Sequence, residues 1–156
     1  MQYIIEQEID IRNSYLIYDD HMELVYLARS NVGWGYALEL MRPNGKTVAE
    51  LRKPHPLAFA AMDIYVKGIK IGRTKLSWSI LAKEKYKVSG LDWYVENDSF
   101  DWDFDIWSNN HEHLASIKKE FFRATDVRTV TVFEDDNGLN ALLVALTLDA
   151  FGSKRY

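Results

Sequence analysis

Asp136-Asn137-Gly138-Leu139-Asn140-Ala141-Leu142-Leu143-Val144-Ala145-Leu146-Thr147-Leu148 is the stretch that decides the fold. Eight of the ten residues from Leu139 to Leu148 are apolar. A helix apolar on every side has no face for water, so it must be buried all round. Asp136-Asn137 offers it an N-cap. From Asn137 to Ala150 it would run roughly 18–20 Å at about 1.5 Å per residue, close to the height of a small barrel. The apolar run is only about half of the roughly 20 residues that a membrane span needs. The rest of the chain must therefore supply the wall around this helix.

That wall reads as strands. Phe100, Trp102, Phe104 and Ile106 alternate with Asp101, Asp103 and Asp105, which puts aromatics on one face and carboxylates on the other. Similar runs rich in Tyr, Val, Ile and Trp recur at 15–18, 36–41, 63–66, 86–88, 91–95 and 129–133. Turn residues separate them: Pro43-Asn44-Gly45, Lys67-Gly68, Glu96-Asn97-Asp98, Asn109-Asn110 and Asp136-Asn137-Gly138. A hairpin pattern repeats over 40–53, 64–75 and 106–119, with a weaker copy over 18–29. In three copies the return strand carries an apolar residue and then a small one: Val48-Ala49, Ile71-Gly72 and Leu114-Ala115. The steps from Val48 to Leu51 and from Leu114 to Ile117 break period two, which predicts a bulge and a bend. Bent, repeated hairpins suggest a sheet that closes on itself and so removes its exposed edges. The expected fold is mainly β (α+β), a closed antiparallel barrel threaded by its C-terminal helix. A helix packed on an open sheet is the alternative. Helical signal elsewhere is weak: Pro56–Met62 could make one short turn, and Ser116–Phe122 could be misread as helix.

Composition narrows the function classes. The chain has 156 residues, 47% of them hydrophobic and 27% charged, which predicts one folded domain over 1–156. Cysteine is absent, which excludes disulfides, thiolate metal sites and cysteine nucleophiles. The N-terminal residues lack the basic start and long apolar run of a signal peptide, and a cytoplasmic home is the expectation. The net charge of −4 argues against a nucleic-acid binder. That total hides blocks of −5 (1–41), +8 (42–87), −7 (88–117) and 0 (118–156).

The hairpin 40–53, with Pro43-Asn44-Gly45-Lys46-Thr47-Val48-Ala49-Glu50-Leu51-Arg52-Lys53, resembles a recurrent hairpin of the LURP-one-related family. Met62-Asp63-Ile64-Tyr65-Val66-Lys67-Gly68, Val88-Ser89-Gly90 through Phe104-Asp105-Ile106, and Leu114-Ala115-Ser116-Ile117-Lys118-Lys119-Glu120-Phe121 resemble further motifs of that family, in order. The likeness runs from about Tyr15 to Ala150. It implies the fold of the Tubby C-terminal domain and the phospholipid scramblases, about twelve strands around a central hydrophobic helix. It implies a binding domain rather than an enzyme, with lipid as a ligand class. No Tubby phosphoinositide motif aligns with this chain, and the scramblase palmitoylation cysteines are missing.

The basic block supplies the candidate site: Arg42, Lys46, Arg52, Lys53, Lys67, Lys70, Arg73 and Lys75. They could attract an anionic lipid, a membrane surface or another anionic ligand, at about 1 kcal/mol per cation near an anionic leaflet. The plainer reading is that they pair with acids across the sheet. Asp101, Asp103 and Asp105 could offer calcium hard oxygens, but a flat strand face diverges, and a solvated row is the plainer reading. Glu134-Asp135-Asp136-Asn137 suits a helix N-terminus electrostatically. His111 and His113 could begin a zinc site, but Glu112 between them points the other way, and a polar turn is the better reading. His21 and His55 stand alone.

No Gly-x-Ser-x-Gly elbow, phosphate-binding glycine loop or His-Glu-x-x-His motif is present, and Gly33-Trp34-Gly35 reads as a turn. The expectation is a non-enzymatic binding domain with no catalytic residues, no metal and no cofactor. The alternative is a structural or protein-interaction module with no small ligand, supported if Trp34, Trp78 and Trp93 form an exposed patch.

Overall fold

The structure, a computed structural model, describes residues 1–8, 14–31, 37–55, 60–77, 84–97, 103–120 and 126–152. The strands are β1 (Gln2–Gln7), β2 (Ser14–Tyr18), β3 (Leu24–Asn31), β4 (Ala37–Met41), β5 (Thr47–Arg52) and β6 (Ala61–Val66). They continue with β7 (Ile69–Leu76), β8 (Glu84–Ser89), β9 (Trp93–Asn97), β10 (Phe104–Ser108), β11 (His113–Glu120) and β12 (Val127–Val132). Each strand pairs antiparallel with its sequence neighbours, and β1 pairs with β12 to close the barrel. The open-sheet alternative is thereby set aside.

Helix α1 (Gly138–Gly152) fills the interior. Ala141, Leu142, Leu143 and Val144 are each 0% exposed, so consecutive residues on every side of the helix are covered. Ile5, Ile17, Leu38, Leu40, Leu51, Ile64, Val95, Ile106, Ile117 and Val130 form one apolar core with it. A 3-10 turn over Asp135–Asn137 leads into the helix, and no side chain caps that turn. Its acids still stand at the positive end of the helix dipole.

The hairpin repeat has a structural cause. In β2–β3, β4–β5, β6–β7 and β10–β11 the register slips by one residue, leaving Val25, Val48, Ile71 and Leu114 as the extra residues. Val48 and Ala49 are both buried, as are Leu114 and Ala115. The bulge thus turns two consecutive side chains out of solvent, which period two alone forbids. Gly72 is small for a further reason: a Cβ there would meet the Ser89 carbonyl oxygen at 2.5 Å.

Several boundaries differ from the sequence reading. Asp92 adopts φ 57, so the strand expected at 91–95 begins at Trp93. Ser116–Glu120 is strand, and Met62 lies in β6, not in a helical turn. The strand expected from Phe100 begins at Phe104; residues 98–102, and residues 56–59 of the other candidate turn, lie outside the described ones.

The two ends of the barrel are unlike. At one end sit the tight β2–β3, β4–β5, β6–β7, β8–β9 and β10–β11 turns and the β12–α1 connection. Every described residue with positive φ lies in one of these turns: Met22, Gly45, Lys67, Gly68, Gly90, Asp92 and His111. The opposite end receives the longer connections and the C-terminus of α1. There Arg128, which shares its parity with Val130 and Val132, points inward. Its Nε lies 2.7 Å from Asp149 Oδ1, and the Tyr15 hydroxyl donates to Asp149 Oδ2 at 2.6 Å. The Arg128 N–H is misaligned with the carboxylate, so Nε and Nη1 lack a hydrogen-bond partner.

Candidate functional site

The eight cations of the basic block share one side of the barrel but not one task. Arg73 Nε lies 2.5 Å from Asp63 Oδ1, and Lys70 Nζ lies 3.4 Å from the same oxygen. Burial pushes the Asp63 carboxyl up, but the hydrogen bond and charge of Arg73, with Lys70 beside it, outweigh burial and hold it below its ordinary value. Arg52 pairs with Glu50 at 2.5 Å and lies 4.7 Å from the Tyr65 ring centre. These three cations therefore pair locally. Arg42, Lys46, Lys53, Lys67 and Lys75 form no ion pair among the described residues. Arg42, Lys46 and Lys67 stand in the tight turns, and Lys53 follows β5 at the other end.

Lys75 is the exception in its surroundings. Antiparallel register puts it directly opposite Lys87 of β8. Both are exposed, and neither has a carboxylate partner among the described residues. Like charges directly opposite each other destabilise a sheet. On the far side of Lys87 the same cross-strand row continues through Tyr94, Trp107 and His113.

Beside this pair lies an open groove of about 520 Å³, lined by Lys87, Ser89, Asp92, Tyr94, Asn109 and His111, among others. Two turns make its upper wall, and the Asn109 N–H donates to the Asp92 carbonyl at 2.9 Å to tie them. Tyr94 faces outward yet is buried, its hydroxyl 3.0 Å from His111 Nδ1. The volume falls in the range of small-molecule sites, about 300–1,000 Å³. Its wall offers an ammonium, a carboxylate, an amide and an imidazole.

A second cluster does not make a catalytic relay. His113 Nε2 lies 2.9 Å from Asp105 Oδ1 and 3.3 Å from the Ser116 hydroxyl, which itself donates to Asp105 Oδ1 at 2.7 Å. In a relay the acid and the nucleophile occupy opposite ring nitrogens. Here both contact Nε2, and the serine proton already has the carboxylate. The His113 ring stacks on Trp107 at 4.4 Å and tilts against Phe133 at 4.8 Å, so the cluster reads as outer-face packing.

The two histidines go to different partners, Tyr94 and Asp105, so they do not converge on a metal. No group of three acidic or imidazole side chains that could hold a metal occurs among the described residues. Asp103 accepts the Lys119 N–H at 3.2 Å, and Asp101 lies outside the described residues. Trp93 does not join an exposed patch: it is 8% exposed and part of the core, on the same strand face as Val95. Trp34 and Trp78, like Gly33 and Gly35, lie outside the described residues.

The profile of the LURP-one-related family matches residues 1–148. The chain belongs to the LURP-one-related family. The X-ray structure of an Arabidopsis thaliana protein is similar at 14% identity and a TM-score of 0.69, over 97% of this chain and 91% of that one. At that identity the likeness shows the fold alone. No curated protein matches the sequence. LURP-one-related membership fits a ligand-binding barrel domain, and the family is not known as one of enzymes. No helix among the described residues is long and apolar enough to cross a membrane.

Within this LURP-one-related barrel two functional candidates escaped the sequence reading. Lys87 closes the basic run Lys83-Glu84-Lys85-Tyr86-Lys87, and only the β7–β8 register exposes its opposition to Lys75. Arg128 had a readable signal, since period two back from Val132 and Val130 already turns it inward.

Proposed function

We propose that this LURP-one-related protein is a non-enzymatic binding domain that takes an anionic ligand at Lys75 and Lys87, beside the groove. The observation that carries the reading is the direct opposition of two exposed lysines, neither of them in an ion pair among the described residues. A bound phosphate or carboxylate relieves that repulsion, whereas Lys70 and Arg73 already share the Asp63 carboxylate. The groove then receives the body of the ligand against Ser89, Asp92 and Asn109. The anion is an anionic lipid head group or a soluble phosphate. The reading places the protein in the cytoplasm, where a cysteine-free chain loses nothing to reducing conditions.

Two arms separate the sources: co-sedimentation with vesicles with and without phosphatidylserine, and calorimetric titration with pyrophosphate. Binding in either arm is expected to fall about tenfold or more in Lys75→Gln/Lys87→Gln and to weaken with salt, as screened charges do. Arg42→Gln/Lys46→Gln is the control and should bind as the parent does. Equal, negligible binding in both arms by the unsubstituted protein would overturn the reading.

A further inference from the structure

The five large apolar residues that stand most exposed among the described ones all lie at the tight-turn end. They are Met1 (43%), Met22 (57%), Leu24 (38%), Ile69 (69%) and Phe133 (53%). They give the described turns of this end an apolar component beside their charges.

The charges of that end are divided. Read around the rim, the six connections are β12–α1, β2–β3, β4–β5, β6–β7, β8–β9 and β10–β11. The first two adjoin, because β1 pairs with both β12 and β2. They carry exposed Glu134, Asp135, Asp136, Asp20 and Glu23, together with Phe133, Met1, Met22 and Leu24. Asp135 lies 3.8 Å from the N-terminal ammonium. The next two also adjoin, through β5 and β6. They carry exposed Arg42, Lys46 and Lys67 with Ile69, and those three cations form no ion pair among the described residues. One half of this stretch of rim is thus apolar and acidic, and the adjacent half apolar and basic.

Such an arrangement matches itself under one symmetry operation. Place two barrels rim to rim, with a two-fold axis in the plane of contact. Let it pass between the β2–β3 and β4–β5 turns and, across the rim, between the β8–β9 and β10–β11 turns. The operation lays β12–α1 of one copy on β6–β7 of the other, and β2–β3 on β4–β5. Glu134 and Asp135 then face Lys67, Phe133 faces Ile69, and Asp20 and Glu23 face Arg42 and Lys46. The remaining two turns face each other, Asp92 toward His111. A closed two-fold contact uses the same patch on both copies, so both acid–base matches occur twice.

We infer that the tight-turn end is a self-association surface whose occupant is a second copy of this chain. Its acids disfavour an anionic membrane across the whole rim, and its own cations supply the partner charge. The inference does not rest on the anion site, since Lys75 and Lys87 take no part in the facing pairs.

Sedimentation equilibrium of the full chain at about 50 mM and about 500 mM salt tests it, because exposed pairs are screened over this range. A dimer is expected at low salt, with a weaker association at high salt. Arg42→Glu/Lys67→Glu makes both sectors acidic, and Asp20→Lys/Glu23→Lys/Glu134→Lys/Asp135→Lys makes both basic. Each variant alone should sediment at the monomer mass. An equimolar mixture should form a one-to-one dimer, since each acidic sector then faces a basic one. Far-ultraviolet circular dichroism melts show that the variants fold. A parent chain monomeric at low salt, a dimer indifferent to both reversals, or folded variants that fail to pair when mixed would each overturn the inference.

Discussion

The two ends of the barrel solve the same closure problem with different chemistry. At the tight-turn end the chain reverses in a few residues, and the interior beneath is apolar up to the Tyr3 phenol. Strain is concentrated in backbone angles of non-glycine residues: Met22, Lys67, Asp92 and His111 take φ 60, 50, 57 and 64. At the opposite end polar groups occupy the interior instead, with Asp149 between Arg128 and Tyr15. An apolar helix running through a barrel can slide or rotate with little change in burial, because every side of it is alike. A charge near one end fixes its depth and its rotation. The contrast assigns depth to Asp149 and lateral tightness to the turns.

The largest effect should come from unbalancing the polar end. Asp149→Ala leaves the Arg128 guanidinium buried without a counter-charge, at an expected cost of about 3–5 kcal/mol. Arg128→Met/Asp149→Leu removes both charges together and should cost far less, or even stabilise. Urea unfolding of the three proteins checks this. If Asp149→Ala and the double substitution cost the same, the pair does not act as a unit, and the contrast between the ends fails.

A middling effect separates two glycines of the tight-turn end. Gly45 and Gly90 have nearly the same positive φ, 88 and 86. A Cβ on Gly45 meets nothing within 4 Å, whereas one on Gly90 is driven into the Ile71 carbonyl and lies 2.8 Å from the Gly72 Cα. Gly45→Ala should therefore cost only the left-handed penalty, about 1–2 kcal/mol. Gly90→Ala should cost clearly more, because backbone from β7 must move. Equal melting temperatures would show that φ alone sets the requirement and that close packing of β7 on the β8–β9 turn contributes nothing.

The sequence carried the interior better than the surface. Leu139–Leu148 announced a buried helix because its apolar residues leave no wet face. The pairs Val48-Ala49 and Leu114-Ala115 announced bulges because two adjacent buried positions cannot occur in regular alternation. Strand β1 escaped notice because Glu6 and Gln7 dilute its short apolar pattern, and closure against β12 gives it its place. The candidate site was legible only in part. Lys75 was visible as a cation, but its opposition to Lys87 is a property of register between strands separated in sequence by residues 77–83. Trp93 belongs to the core rather than to a surface patch, since period two sets it on the inward face with Val95.

The smallest effect concerns Tyr3 and gives the tight-turn end its own titration. Its phenol is pushed up to about 12, chiefly by burial, with the neighbouring Tyr26 and the Asp135 carboxylate adding to it. A phenol that holds its proton more tightly folded than unfolded binds more protons in the native state. Its contribution is fully present below the unfolded value of about 10 and is lost as pH rises through the folded value of about 12. Across that window the native barrel should lose stability, and Tyr3→Phe should remove part of the slope while changing little at neutral pH. Melting temperatures measured from pH 9 to pH 12 on the two proteins decide it. A Tyr3→Phe profile parallel to that of the parent would mean that water reaches the phenol, and that the tight-turn end is less well sealed than its backbone suggests.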